Sequence, residues 1–300
     1  MEIIVPAAGL STRFSGDKPK FMLYDYTGKS MLYRSLEPFL NQNRIYVGVL
    51  REHEIKFDIS DFIKHEFGSS VNLIVLDNRT AGPADTVNEI LKLSQIPTYN
   101  SIFIKDCDSF FNHVPLNGNY ICVSKLQDKN QIFQPAGKSY VLTDENSLIQ
   151  KIVEKEIVSD TYCVGGYKFD SVSSFISSFE TVRTLVPGEI FVSHVIKHLL
   201  SIGSPFSAVP ITNYIDVGTM KDWLDYNNKP VVFCDIDGTI IRNQQRYGGN
   251  NYYTEPVPLS NNINVILKMQ GNGSQIIFTT ARPEEYRSIT ESTLKNLGFD

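Results

Sequence analysis

The first residues whose types and spacing could do chemistry are Pro6-Ala7-Ala8-Gly9-Leu10-Ser11-Thr12-Arg13, followed closely by Lys18-Pro19-Lys20. Small side chains and a glycine where a strand turns into a loop let backbone N–H groups close on phosphate oxygens. Arg13, Lys18 and Lys20 add the cationic charge that a triphosphate requires. The plain alternative is a tight turn beside a solvated basic loop. A second group is Asp235-Ile236-Asp237-Gly238-Thr239, two carboxylates at i and i+2 closing an apolar run; its plain alternative is an acidic strand-end turn. His194 and His198 stand at i and i+4, but no third ligand or partner Glu accompanies them, so they read as packed or solvated side chains rather than a zinc site. Cys107, Cys122, Cys163 and Cys234 are far apart, without CxxC spacing or disulfide density, which fits a reducing cytoplasm.

The elements that must carry these groups alternate along the chain. Short apolar runs at Ile3 to Val5, Ile45 to Leu50, Val71 to Leu76, Ile102 to Lys105 and Tyr120 to Val123 read as buried strands. Amphipathic stretches around Met31 to Leu40, Ile59 to Glu66 and Thr86 to Leu93 read as helices between them. This alternation implies an α/β protein with a mostly parallel sheet. The polar segment Leu224 to Pro230 precedes a fresh apolar run at Val231 and predicts a boundary between a first domain over 1–226 and a second over 230–300. The second repeats the pattern briefly: strand, acidic turn, a loop over Arg246 to Tyr253, a helix over Leu259 to Met269, a strand over Gln275 to Phe278 and a helix over Glu284 to Leu297. About seventy residues make a marginal core for such a unit, which reads as truncated or as leaning on the first domain.

Composition narrows the function classes. The 300 residues carry 28 Lys and Arg against 33 Asp and Glu, a net charge of −5, with 42% hydrophobic residues, which excludes disordered and fibrous proteins. An acidic balance argues against nucleic acid or an anionic membrane as partner and leaves small anionic substrates open. The opening MEIIVPAAGL lacks a basic n-region and reads as a first strand, and no run approaches the roughly 18 apolar residues of a spanning helix.

With its basic loop, the chain resembles the sugar-phosphate nucleotidylyltransferases, which open on a GxGTR-type loop with a catalytic lysine nearby. Further segments extend the likeness in the family's order over residues 1 to about 225. Ala81-Gly82-Pro83-Ala84-Asp85-Thr86 is similar to the segment that packs on the nucleobase. Ile104-Lys105-Asp106-Cys107-Asp108 resembles the strand end delivering a metal-binding aspartate. Val153-Glu154-Lys155 with Gly165-Gly166-Tyr167-Lys168-Phe169 resembles the segments around the sugar phosphate. Gly188-Glu189-Ile190-Phe191 and Ile215-Asp216-Val217-Gly218-Thr219 follow, the last resembling the second metal aspartate. Lys105 stands where the family has Gly, Glu156 where it has Pro, and Ser193-His194 where an Asp is expected.

The resemblance implies a Rossmann-like nucleotidyltransferase domain with a mixed, mostly parallel sheet. It also implies transfer of a nucleoside monophosphate from CTP, UTP or dTTP to a sugar 1-phosphate or similar small phosphorylated acceptor, with loss of pyrophosphate. Arg13 and Lys20 would hold the triphosphate and the departing pyrophosphate, with Ala8, Gly9, Ser11, Thr12, Gly82, Pro83 and Asp85 around the nucleotide. Glu154 would bind an acceptor hydroxyl, Lys155 the acceptor phosphate, and Gly166 would line that end. Mg²⁺ would be held by Asp216 with Asp106 or Asp108, Asp106 being preferred.

The second part resembles haloacid dehalogenase-like phosphatases: Val231-Val232-Phe233-Cys234-Asp235-Ile236-Asp237-Gly238-Thr239 is similar to their first motif, and Ile276-Ile277-Phe278-Thr279-Thr280-Ala281-Arg282-Pro283 to their second. This implies Asp235 as nucleophile, Asp237 as acid and base, both near Mg²⁺, and Thr280 as a phosphoryl-binding residue. The family's third and fourth motifs are not found before Asp300, so a partial Rossmann-like phosphatase domain, inactive in this chain, is expected. Two other readings are a nucleotide-sugar glycosyltransferase with Asp106-x-Asp108 as metal dyad and a non-catalytic nucleotide-binding scaffold. The basic loop disfavours the former, because such transferases need no triphosphate cradle.

Overall fold

The computed structural model describes residues 1–10, 14, 18–40, 44–112, 116–127, 135–243, 256–271 and 273–299. Ser11, Thr12, Arg13 and the loop over Arg246 to Tyr253 lie outside the described residues. The chain divides into two compact units, Met1–Asn227 and Asn228–Asp300.

In the first unit the elements run β1 (Glu2–Pro6), α1 (Met31–Leu36), β2 (Arg44–Leu50), α2 (Arg51–Phe57), α3 (Ile59–Phe67), β3 (Val71–Leu76), α4 (Pro83–Ser94), β4 (Ile102–Lys105) and β5 (Ser109–Phe110). They continue through β6 (Tyr120–Lys125), β7 (Ser139–Thr143), β8 (Ile149–Glu154), β9 (Thr161–Phe169), α5 (Val172–Leu185), α6 (Val192–Ser201), β10 (Ser207–Pro210), β11 (Ile215–Asp216) and α7 (Met220–Asn227). The anticipated helix over Met31 to Leu40 stops at Leu36 and gives way to a 3-10 turn over Glu37–Phe39. Pro38 has no N–H to continue the ladder.

The main sheet has the order β10-β6-β9-β4-β1-β2-β3, with the β7–β8 hairpin attached to β9. β1 pairs in parallel with both β2 and β4, and β2 with β3. β9 runs antiparallel between β4 and β6. Both faces are covered, which is why β1 is apolar without alternation. Ile3 and Val5 pack with Leu32, Leu36, Ile59 and Ile63 of α1 and α3. Ile4 faces the other way, toward Val87 and Ile90 of α4, Phe175 of α5 and Val195 of α6.

This order fixes where a ligand can bind. From β1 the chain first builds outward through β2 and β3, then crosses back to place β4 on the other side of β1. The loops leaving the C-terminal ends of β1 and β4 therefore part in opposite directions and leave a crevice. Those are the loops that carry Ala7 to Leu10 and Asp106 to Asp108. A small antiparallel ladder, β5 with β11, lies beside them and sets Asp216 opposite Ser109. Trp223 and Tyr226 of α7 pack with Phe110 and Val217 and hold that ladder in place.

The second unit is smaller. Parallel strands β12 (Val231–Asp235) and β13 (Gln275–Thr279) pair from Val231↔Gln275 to Asp235↔Thr279. Helices α8 (Ser260–Gly271) and α9 (Arg287–Asn296) follow β12 and β13 respectively, a 3-10 turn over Glu284–Tyr286 preceding α9. Its core gathers Cys234, Ile236, Ile240, Ile241, Ile263 and Phe299.

Candidate functional site

A cavity of about 540 Å³ opens at the crevice of the first unit. The turn after β1 forms one wall. Ala7 donates its N–H to Gly48 O at 2.9 Å, and Ala7 and Ala8 are buried, while no described residue lies within 4 Å of the point where a Gly9 side chain would begin. Backbone can therefore approach a ligand closely at Gly9. Lys20, in a short 3-10 turn, pairs with Asp108 and stands 5.7 Å from the Phe14 ring centroid. Lys18 is exposed.

Part of the lining is acidic. Asp106, Asp108 and Asp216 all line the cavity. The β5–β11 ladder brings the last two together, with Val217 N donating to Asp108 O at 3.0 Å. A side chain at Gly218 would begin 3.1 Å from Asp216 Oδ1 and 3.3 Å from Asp108 Oδ2, so both carboxylates converge on the same point. Asp108, rather than the Asp106 preferred from the sequence, is thus the carboxylate that shares this point with Asp216. Asp106 faces Gly165, whose Cβ would lie 2.5 Å from Oδ2 and whose φ is +84°. Burial, then the neighbouring Asp108, pushes the Asp106 carboxyl up to about 6 against the pull of Lys105, Lys138 and Lys20.

Lys105 explains how such a turn holds its shape. Its side chain is fully buried, and Nζ donates to Asp106 O at 2.7 Å, Ser109 O at 2.5 Å, Ser109 Oγ at 2.8 Å and Ser35 Oγ at 3.1 Å. The same ammonium lies 4.5 Å from the Phe111 ring centroid. Burial lowers it to about 8, opposed by Asp106 and Asp108. The glycine of the resembled family is replaced here by an internal tie across residues 105 to 109.

Both carboxylate oxygens of Asp216 have partners. Oδ1 accepts from Gly218 N at 3.0 Å, the Asx-turn geometry, and Oδ2 is 2.5 Å from Lys138 Nζ. Lys138 also donates to Tyr214 OH at 3.0 Å. Burial opposes the charge on Lys138, but Asp216, Asp108 and Asp106 outweigh it and raise its pKa. Among the described residues no three His, Cys, Asp or Glu side chains form a ready cage for a metal. Two facing carboxylates nonetheless suit Mg²⁺, which takes one or two carboxylates and completes its shell with water and phosphate oxygens. Asp108 and Asp216 fit that demand.

Glu154 and Lys155 also line the cavity. Glu154 Oε2 accepts from Ser139 Oγ and, at 2.5 Å, from Ser193 Oγ, so β7, β8 and α6 meet on one carboxylate. Lys155 adopts φ +56°, and its Nζ lies 4.1 Å from the Phe191 ring centroid and 3.8 Å from Glu189. Gly165 lines the cavity, whereas Gly166 is buried in β9, where its Cβ would point at Phe111, Phe103 and Cys122. Of the segment before α4, Pro83 lines the cavity; Gly82, with φ +130°, presses on the Ile190 backbone. Asp85 spends its carboxylate on Ala81 N at 2.8 Å. Ile190 N donates to Ala81 O at 2.6 Å and Ala84 N to Ile190 O at 3.1 Å, joining the two loops. His194 Nδ1 accepts from Phe191 N at 3.3 Å at the start of α6, a capping role.

The structure therefore gathers Gly9, Lys20, Pro83, Asp106, Asp108, Glu154, Lys155 and Asp216 around one cavity and turns Asp85 and Gly166 elsewhere. Sequence reasoning missed Lys138, Ser139 and Ser193 as cavity residues. Lys138 carries no local signal; a lysine before a strand is ordinary. Ser193 was marked only as the place where an aspartate was expected.

The second unit holds the other acidic pair. Asp237 is gripped by Arg282 through two bonds, Nη2 to Oδ1 at 2.6 Å and Nε to Oδ2 at 2.8 Å. Arg282 also donates from Nη1 to Thr290 Oγ1 at 3.1 Å and from its backbone N to Thr280 Oγ1 at 3.1 Å. Asp235 is exposed at the end of β12.

The sheet order and the crevice at the ends of β1 and β4 define the first unit as an α/β domain with the Rossmann-like nucleotidyltransferase fold. Solved structures agree. The nucleoside-diphosphate-sugar pyrophosphorylase from Vibrio cholerae RC9 matches with a TM-score of 0.65 at 18% identity, over 76% of this chain and 100% of its own. The inositol-1-phosphate CTP transferase from T. maritima matches with 0.59 at 18% identity, over 74% and 90%. HddC from Yersinia pseudotuberculosis matches with 0.56 at 21% identity, over 75% and 97%. At these identities the likeness carries the fold alone. The sequence matches no protein-family model and no curated protein. Among the described residues no helix is long and apolar enough to cross a membrane.

Proposed function

We propose that the first unit is a Mg²⁺-dependent nucleotidylyltransferase that joins the nucleoside monophosphate of CTP, UTP or dTTP to a small phosphorylated acceptor of the sugar 1-phosphate type, releasing pyrophosphate. The observation that carries this reading is the convergence of Asp108 and Asp216 on Gly218, inside the cavity that also contains Lys20 and the open turn at Gly9. The solved relatives support it in kind, being a sugar-nucleotide pyrophosphorylase and a CTP transferase in their own right.

In this reading an acceptor phosphate oxygen attacks the nucleotide α-phosphorus in line, forming one P–O bond as the bond to pyrophosphate breaks. Bound Mg²⁺, with Asp108 and Asp216 as its ligands, supplies positive charge for the phosphate oxygens. Lys20, with the N–H groups of the β1 turn and with Arg13, neutralises the triphosphate and the departing pyrophosphate. Glu154 takes an acceptor hydroxyl while Lys155 holds the acceptor phosphate, which fixes the attack geometry. Pro83 borders the nucleobase. For the second unit we propose a phosphatase-like unit without turnover in this chain, because the carboxylate that would move protons, Asp237, is committed to Arg282.

The test is a matrix of the three nucleotides against sugar 1-phosphates and other phosphorylated small molecules, read by pyrophosphate release with Mg²⁺. One productive pair supports the reading; silence across the matrix from folded protein overturns it.

A further inference from the structure

Each lysine on the described cavity wall already has a carboxylate: Lys20 pairs with Asp108, Lys138 with Asp216, and Lys155 lies 3.8 Å from Glu189. A phosphorylated acceptor entering this cavity competes with those carboxylates for cationic charge. Lys138 and Lys20 each pair with one of the two carboxylates that meet at Gly218, so a divalent cation ligated there claims the charge that these lysines now neutralise. Lys138 differs from Lys20 in what its backbone touches. Its backbone O accepts from Lys155 N at 3.0 Å, and the next residue, Ser139, donates to Glu154. Lys138 thus has its backbone beside Lys155 and Glu154 and its ammonium at the carboxylate cluster.

Resting on the reading of the site given above, we propose that Lys138 is a shared cation that Asp216 gives up to a divalent metal ion and that then binds the acceptor's phosphate, so that metal entry and acceptor capture are coupled. The coupling needs no change of fold. Lys138 has a flexible four-carbon stem and three donors, and it moves from one anion to another within the same cavity. Tyr214, whose hydroxyl receives a hydrogen bond from Nζ at 3.0 Å, offers a neutral contact that the ammonium can keep during the exchange. By linkage, the metal then tightens phosphate binding and phosphate tightens metal binding by the same factor.

The experiment measures binding rather than turnover. The affinity of the full chain for Mn²⁺, followed by electron paramagnetic resonance, is determined with and without inorganic phosphate, and the affinity for phosphate with and without Mn²⁺. Wild type is expected to show positive coupling of at least about fivefold. Lys138→Met is expected to bind Mn²⁺ alone more tightly, because Asp216 has lost its competing cation, and to lose the coupling. Lys138→Arg, which keeps the charge, is expected to retain it, and circular dichroism establishes that both variants are folded. Should Lys138→Met misfold, Tyr214→Phe is the second variant, expected to shift Mn²⁺ affinity and to leave the coupling in place. Equal coupling in wild type and Lys138→Met, unchanged or weaker Mn²⁺ binding by Lys138→Met, or absent coupling in wild type overturns the proposal. These outcomes are separate from those of the pyrophosphate assay: silence across the nucleotide matrix removes the proposed reaction, while the binding data judge Lys138 alone.

Discussion

Both units end a parallel strand in a D-x-D sequence, yet the two ends are built differently. At β4, Asp106 and Asp108 are joined by Asp216 from more than a hundred residues away and faced by Lys20 and Lys138, within an enclosing cavity. At β12, Asp235 is exposed and Asp237 is bound by Arg282 from the neighbouring strand's loop. An acidic strand end becomes a site only when other elements carry charge to it. In the first unit β11 and β8 bring Asp216 and Glu154, and Lys138 stands just before β7; among its described residues the second unit has two strands and two helices.

The largest effect that tests this contrast comes from Lys20→Ala, expected to lower pyrophosphate release on the order of 10²–10³-fold, while Asp235→Asn leaves it within about twofold. Equal losses in the two variants would erase the distinction between the units. Next, Gly218→Ala inserts a methyl where the two carboxylates meet; a misplacement of about 1 Å costs up to about 10²-fold in rate. We expect a loss of about tenfold with an unchanged circular dichroism spectrum. Removing the arginine that grips Asp237 acts on stability instead: Arg282→Ala, which takes two charge-assisted hydrogen bonds from the carboxylate, is expected to cost about 2 kcal/mol in urea unfolding, with pyrophosphate release unaltered.

The smallest effect is set by acid. His53 and His194 are both held below the usual 6.5, first by burial and then by neighbouring lysines or arginine, against the opposing pull of nearby glutamates. A depressed histidine takes up its proton more readily once unfolded. Stability is therefore full above pH 6.5 and declines as pH falls below it. All five histidines precede residue 228, so acidification from pH 7 to 5.5 should lower the first unit's unfolding midpoint by a few degrees and spare the second's. A parallel drop in both would show that the two units unfold together.

Much of the fold was legible because its strands are buried on both faces. Val71–Leu76 and Ile102–Lys105 are bounded as their apolar runs suggested. The ladder that matters most for the site was not. β5 and β11 are two residues each, below the length at which periodicity speaks, and their pairing joins positions 109 and 216. The carboxylates could be named from their neighbours in sequence, but which two face one another depends on that ladder. Lys138 is invisible for the same reason: its partner is fixed by tertiary structure. Gly166 and Asp85 were legible as members of segments, whereas the direction of each was not. Alternation along β9 turns Gly165 to the cavity and Gly166 to the core.

The two peptide hydrogen bonds between Ala81, Ala84 and Ile190 act as a weld between stretches of chain far apart in sequence. Three residues after Ile190, on the same loop-to-helix passage, Ser193 reaches Glu154. Under the proposed nucleotidyl transfer, whatever widens the rim at 81–84 to accept a bulkier base drags the wall at Glu154 with it. Preferences for donor and acceptor would then be mechanically one property, and a variant selected for a new nucleotide would arrive with an altered taste in its second substrate.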